Sequence, residues 1–313
     1  AENVSGRGDL RLAGAGGSEA GVALAILVWF LAAMSLLVGS IVMQARVDAK
    51  LSGLHLTTAR IEAAGDGAIQ LALTNLLVLE RDGEFSGRSA HYGTHSLGKL
   101  QVGVVLTPLS GLIDLNMASE GLLSALFSSI EGMDESAVYE LVTSVIKWRS
   151  AAPQALSDSP GGRFEVPEDL LMVEGVDRDI FEAVRDSLYV ASQGSAGVDW
   201  MSAPAPVLQA LGEMDEKAAI GVVESRLAEE VADLEPPVGI DLSYQQALQS
   251  DSYRADALIV VDNTVYLRRR WVDRAQVGAD GLPWVFFRTE AVRVARSLDE
   301  AMLITKEGGY AGD

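Results

Sequence analysis

Between Val22 and Met43 the chain runs VALAILVWFLAAMSLLVGSIVM, 22 residues without one charge. At 1.5 Å of rise per residue such a helix matches a hydrocarbon core about 30 Å thick, so the segment can span a bilayer. A cleaved secretory signal is the rival reading, but its apolar region is about 7–15 residues and ends at a small-x-small cleavage site. Here the segment continues into a helical pattern instead. Leu51, Leu54, Ile61, Ala68, Ala72, Leu76 and Leu79 recur at spacings of 3, 4 or 7. One helix of about 55 residues is the simplest account, closed by Arg81-Asp82-Gly83. Gly65 and Gly67 each weaken it by about 1 kcal/mol relative to Ala, which predicts a bend or an irregular turn there.

Residues 1–21 are polar and Gly-rich with no apolar periodicity, and they read as a flexible leader, not a domain. Arg7-Gly8-Asp9 matches a cell-adhesion tripeptide at a length where chance matches are common. The glycines at 14, 16 and 17 follow no strand, so they make no phosphate loop.

The net charge is −20, which argues against nucleic acid as a partner, since phosphate neutralisation requires clustered Lys and Arg. The acidity is local. Residues 111–250 hold 7 basic and 25 acidic side chains, a net −18 that leaves only −2 for the other 173 residues. An acidic module therefore sits inside a nearly neutral frame. The absence of cysteine removes disulfides, thiolate catalysis and thiolate metal sites.

The frame reads as strands. Residues 84–108 contain one or two, ending in Leu100–Leu106, and Ala257–Val261 with Thr264–Arg268 form a hairpin around Asp262-Asn263. Pro283–Glu290 and Ala291–Ala295 supply another strand candidate. The acidic block contains a repeat: Asp114-Leu115-Asn116-Met117-Ala118 aligns, 85 residues on, with Asp199-Trp200-Met201-Ser202-Ala203. Gly132-Met133-Asp134-Glu135 aligns likewise with Glu213-Met214-Asp215-Glu216. Each copy is expected to be a pair of short helices, with polar residues placed to cap them. Leu122–Val145 and Leu170–Val184 also resemble helix-hairpin-helix units, but Glu131, Asp134, Glu135, Glu174, Asp177 and Asp179 around the turns would repel phosphate.

A polar leader closing on Gly21, followed by an apolar helix that opens Val22-Ala23-Leu24 and runs amphipathic into a soluble domain, resembles the type IV prepilins and pseudopilins. The resemblance implies cleavage by a prepilin peptidase between Gly21 and Val22 and methylation of the new amino terminus at Val22. Most members carry Glu at the fifth mature position, which here is Ile26. Lacking that Glu is a habit of minor pseudopilin K of the type II secretion system. Ile113-Asp114-Leu115-Asn116-Met117-Ala118 is similar to that subfamily's I-N-L-N-x-A signature, and Ile146-Lys147-Trp148-Arg149 to its I-x-W-R element. Phe164 through Leu170, running into Val173-Glu174-Gly175-Val176, is similar to its F-x-x-x-x-E-L stretch and the turn after it.

The expected fold class is therefore α+β: a long N-terminal transmembrane and amphipathic helix packed on a small antiparallel sheet, with a large all-α insertion. The expected divisions are a leader at 1–21, a membrane segment at 22–43, helix and first strands at 44–110, the acidic insertion at 111–240 and C-terminal strands at 241–313. The resemblance further implies a single-pass protein of the bacterial inner membrane with its C-terminal domain in the periplasm. Its partners would be minor pseudopilins I and J at the pseudopilus tip, the other pseudopilins, the inner-membrane assembly platform and the peptidase.

No catalytic constellation is visible, because no Gly-x-Ser-x-Gly lies near His55, His91 or His95. His91 and His95, four apart in a strand-like region, stand about 13 Å apart, too far to share a zinc, and read as surface histidines. Members of the resembled family can bind calcium through acidic loops, and Asp158, Glu165, Glu168 and Asp169 are the candidate ligands here. Ser150 stands where the family usually has Asp after its Trp-Arg, and no Asp-x-Asp array is present; a solvated acidic loop is the alternative. No other cofactor is expected. Two rival readings stay open, a membrane-anchored periplasmic hydrolase and a plain anchor protein without a filament.

Overall fold

In the computed structural model the described residues are 17–83, 88–150, 162–191, 194–212, 214–228, 235–246, 250–279 and 281–295. The chain divides into two compact units at Ala59/Arg60. The first is helical. Helix α1 (Gly17–Asp82) has 66 residues and begins five residues before Val22. Gly17–Gly21, read from sequence as irregular leader, are thus helical, because extending a formed helix fixes one residue per added hydrogen bond. From Val22 to Ala59 every residue but the half-buried Thr57 is exposed, so this stretch has no protein core to bury its apolar side chains. It is long and apolar enough to cross a membrane.

From Arg60 onward α1 belongs to the second unit. Ile61, Ala64, Ala68, Ile69, Ala72, Leu73 and Leu76 are buried at spacings of 3 and 4 along one face. They pack on Val102, Val104, Leu106, Tyr253, Ala255, Ala257, Ile259 and Val272 of the sheet, and each Leu or Ile so covered contributes about 1.5–3 kcal/mol. The irregular turn expected near Gly65 does not form: the helix assignment is continuous there. A Cβ on Gly65 would lie 2.8 Å from Arg268 Cβ, so this glycine serves the close approach of strand and helix.

The sheet contains β1 (His91–Leu97), β2 (Leu100–Pro108), β5 (Ser252–Val261), β6 (Thr264–Asp273) and β7 (Val285–Thr289), antiparallel in that order. The short β8 (Arg293–Val294) also pairs with β6. The β5–β6 hairpin turns on Asp262 and Asn263 at φ 48° and 63°, the left-handed pair of a two-residue hairpin, as their side-chain types suggest.

Between β2 and β5 lies the all-α part: β3 (Ile113–Asp114), α2 (Glu120–Ser128), α3 (Glu135–Ser150), a 3-10 turn (Pro167–Met172), α4 (Arg178–Val184), β4 (Leu188–Tyr189), α5 (Ala205–Gly212) and α6 (Glu216–Ala228). It has its own core, including Leu115, Leu122, Leu126, Phe127, Val142, Phe164, Leu188, Val207 and Leu208. The second of the two segments likened to a helix pair, 170–184, is a 3-10 turn followed by one helix, with Gly175 at φ 89° between them.

Candidate functional site

Asn116, Trp148, Arg149 and Phe164, one or two from each motif of the insertion that carried the family resemblance, lie up to 48 positions apart in sequence, and the fold brings them together. Asn116 Nδ2 donates to the Phe164 carbonyl at 3.0 Å, while the Phe164 amide donates to Asn116 Oδ1 at 2.9 Å. Arg149 Nη1 donates to the Ala118 carbonyl at 2.8 Å and to that of Asn116 at 3.4 Å. Trp148 stacks on Phe164 with ring centroids 6.1 Å apart. Signature, Trp-Arg element and Phe stretch thus form one clamp that closes α3 onto the turn after β3.

The second copy repeats the device. Asp114 Oδ1 accepts the Asn116 amide at 2.8 Å, and Asp199 Oδ1 accepts the Met201 amide at 3.2 Å, the same side-chain-capped turn. Asp134 and Asp215 cap α3 and α6 by accepting the amides of Ala137 and Ala218, both at 2.8 Å. Arg226 Nη1 reaches the Ala203 carbonyl at 2.6 Å, as Arg149 reaches Ala118. With the two capping aspartates aligned, Arg226 falls opposite Val145, one turn earlier in its helix than Arg149. Each copy also makes a parallel bridge, Ile113 to Leu188 and Val198 to Gln245. The duplication read from sequence is therefore a duplication of structure. The copies touch where the Asp199 amide donates to the Ser110 carbonyl at 2.7 Å.

The acidic insertion meets the frame through ion pairs. Side chains alternate across β6, so Arg268 turns to Asp66 of α1 at 2.8 Å while Arg269 turns to the other face. There Arg269 donates to Asp186 at 2.5 Å and to Asp256 at 2.6 and 3.0 Å. Asp186 also accepts from Arg293 at 2.8 Å, and Arg254 donates to its backbone carbonyl. Glu168 accepts from Arg288 at 2.6 Å, Arg185 pairs with Glu290 at 3.2 Å, and Asp199 pairs with Arg88 at 3.3 Å. Burial opposes ionisation of Asp186, but Arg269, Arg293 and Arg254 outweigh it and hold the carboxyl well below the usual range. Burial also opposes the charge on Arg269, and Asp256 and Asp186 overcome it and push that guanidinium well above its ordinary value.

Of the residues named from sequence, Val22 and Ile26 are exposed on α1, and Gly21 lies in its first turns. Asp158 falls outside the described residues. The remaining calcium candidates do not converge. Glu168 is held by Arg288, Asp169 Oδ2 accepts the amides of Glu165 and Val166 at 2.7 and 3.1 Å, and Glu165 is exposed. Among the described residues no three acidic or imidazole side chains are grouped to hold a metal, and Glu165, Glu168 and Asp169 by themselves make no calcium site. His91 and His95 are half-buried in β1, not surface groups, and burial lowers the pKa of both.

No protein-family model matches the chain, and no curated protein matches it in sequence. Among solved structures it is similar to the crystal structure of the GspK-GspI-GspJ complex from the enterotoxigenic Escherichia coli type 2 secretion system. The sequence identity is 14%, 80% of this chain and 99% of that chain are covered, and the TM-score is 0.48.

Proposed function

We propose that this chain is a non-enzymatic minor pseudopilin of a type II protein secretion system, resembling pseudopilin K, placed at the tip of the periplasmic pseudopilus. The observation that carries the reading is the clamp of Asn116, Trp148, Arg149 and Phe164, in which separate elements of one family signature hold each other. The uncharged stretch from Val22 heads a helix that continues into the core of an α+β domain, the layout such a subunit needs. In this reading a prepilin peptidase cuts between Gly21 and Val22, Val22 becomes the methylated terminus, and the soluble domain lies in the periplasm. The assembly platform of the inner membrane then extrudes it with minor pseudopilins I and J.

Ile26 suits the tip. A carboxylate at this depth of an apolar helix bundle costs several kcal/mol unless it finds a positive partner. A subunit with nothing above it has no such partner, and an isoleucine asks for none. The test is co-purification of the tagged full chain, in detergent, from cells making the complete secretion system. Recovery of pseudopilins I and J with it is expected; recovery of neither, with both present in the membrane fraction, overturns the proposal.

A further inference from the structure

Asp114 and Asp199 occupy the same position in the two repeat copies, and both are buried, at 1% and 0% exposure. Their surroundings differ. Asp199 is fully met: Gln245 Nε2 and the Met201 amide donate to Oδ1 at 3.0 and 3.2 Å, and Arg88 Nε and Nη2 donate to Oδ2, both at 3.3 Å. Asp114 accepts the Asn116 amide on Oδ1 at 2.8 Å and its carboxyl is also approached by the Met117 amide, while its Oδ2 is buried with no partner within hydrogen-bond geometry among the described residues. Gly194 lies directly over Oδ2, so close that a Cβ there would fall 1.2 Å from it.

Among the described residues the charged and titratable groups around Asp114 are Arg149, Arg163 and Tyr189. From α3 comes Arg149, turned to the carbonyls of Asn116 and Ala118; from the segment before Phe164 comes Arg163, which donates to the Ala191 carbonyl; from β4 comes Tyr189, whose hydroxyl accepts from the Ser195 amide at 3.4 Å. None of these changes charge between pH 5 and 8: arginines stay protonated there, and burial together with Asp114 pushes Tyr189 up to about 12. Asp114 is the exception. Burial pushes its carboxyl up to about 6, against the Asn116 amide, Arg163, the Met117 amide and Arg149, which favour the charged form.

We propose that Asp114 is a proton-operated latch on the first repeat copy, which holds the β3–β4 seam shut when the carboxyl is neutral and loosens it when the carboxyl ionises. Among the described residues an ionised Oδ2 meets no hydrogen-bond donor in good geometry, whereas a neutral carboxyl requires no counter-charge. The second copy, with Arg88 over its aspartate, lacks the device and is the internal reference. A compartment whose acidity varies would thereby change the stiffness of one half of the insertion and leave the other unchanged.

The sign follows from linkage. A carboxyl whose folded pKa lies above its opened value destabilises the closed form as pH rises between the two. With about 6 closed and 3.8 opened, the opening equilibrium grows about tenfold from pH 5 to 7.5. The test is hydrogen exchange of the full chain in detergent micelles at both pH values, corrected for intrinsic rates. Amides of residues 113–118 and 188–191 should lose about tenfold in protection at pH 7.5, those of 198–203 should not, and Asp114→Asn should be protected equally at both. A pH response of 113–118 that persists in Asp114→Asn, or that appears equally in 198–203, overturns the proposal. Infrared titration of the wild-type chain is the second measurement and needs no variant. A buried carboxyl band losing intensity near pH 6 supports the latch, and the absence of any carboxyl still protonated at pH 5 sinks it.

Discussion

Replacing Asp186 with Asn keeps the size of the side chain and removes the charge to which three arginines are addressed. Two charge-assisted hydrogen bonds are at stake, from Arg269 at 2.5 Å and Arg293 at 2.8 Å, each contributing about 1.5–3 kcal/mol. Two features reduce the loss. The Asp186 side chain is 34% exposed, and Arg269, only 3% exposed, keeps Asp256 and is not left unpaired. An Asn oxygen also still accepts one bond. The expected destabilisation is about 3 kcal/mol, at the lower end of the range for breaking a buried pair. For a domain of this size that lowers Tm by roughly 6–12 °C. The pH dependence adds a second signature. The folded carboxyl is held well below its ordinary 3.8, so its stabilisation is full above that value and is lost progressively as pH falls from there towards the lower folded value. The deficit of Asp186→Asn should therefore be full at pH 7 and close as pH falls below about 4. Thermal melts of the full chain in detergent at pH 7 and at about pH 2.5 read both. The control is Arg178→Ala, whose pair with Glu182 spans 3.8 Å at 84% exposure and should cost under about 0.5 kcal/mol. A Tm for Asp186→Asn within 2 °C of the parent at pH 7 would refute the claim that ion pairs seat the insertion on the sheet.

Gly111→Ala puts a Cβ 2.3 Å from the Ser202 carbonyl oxygen and 2.4 Å from its carbon, at the junction of the two copies, and should cost about 3 kcal/mol in denaturant titration. Gly221→Ala in α6, with nothing within 4 Å, should instead stabilise by about 0.5–1 kcal/mol, so a loss there equal to that at Gly111 would contradict the packing argument. Gly21→Trp should abolish maturation, checked by intact-mass spectrometry, and a chain still beginning at Val22 would refute the leader assignment.

The elements most legible in the sequence are those set by local pattern. The span from Val22, the hairpin at Asp262-Asn263 and the helix caps at Asp134 and Asp215 each depend on residues within a few positions. The repeat was legible because Asp114 and Asp199 make the same turn. Partners distant in sequence were not. Nothing near Asp199 announces Arg88, 111 residues earlier, and nothing near Glu168 announces Arg288, so Glu168 read as a free ligand when it is one side of a docking pair. One signal was present and unread: three consecutive arginines, 268 to 270, on a strand that must alternate faces, in a chain whose acidity is concentrated elsewhere. Gly65 hides a partner in the same way, since the contact that calls for a glycine there is with Arg268, far along the chain.

The account turns on a place at the end of a filament. In the proposed reading, an insertion with its own core, occupying most of the chain between β2 and β5, would obstruct stacking along a filament's flank, and an apolar Ile26 asks for no positive partner above it. Quantitative mass spectrometry of pseudopili sheared from cells measures this directly, with isotope-labelled peptides for this chain and for the major pseudopilin. About one copy per filament, unchanged as filaments lengthen on overexpression of the major subunit, is the predicted result. A copy number that rises in proportion to the major subunit would contradict it.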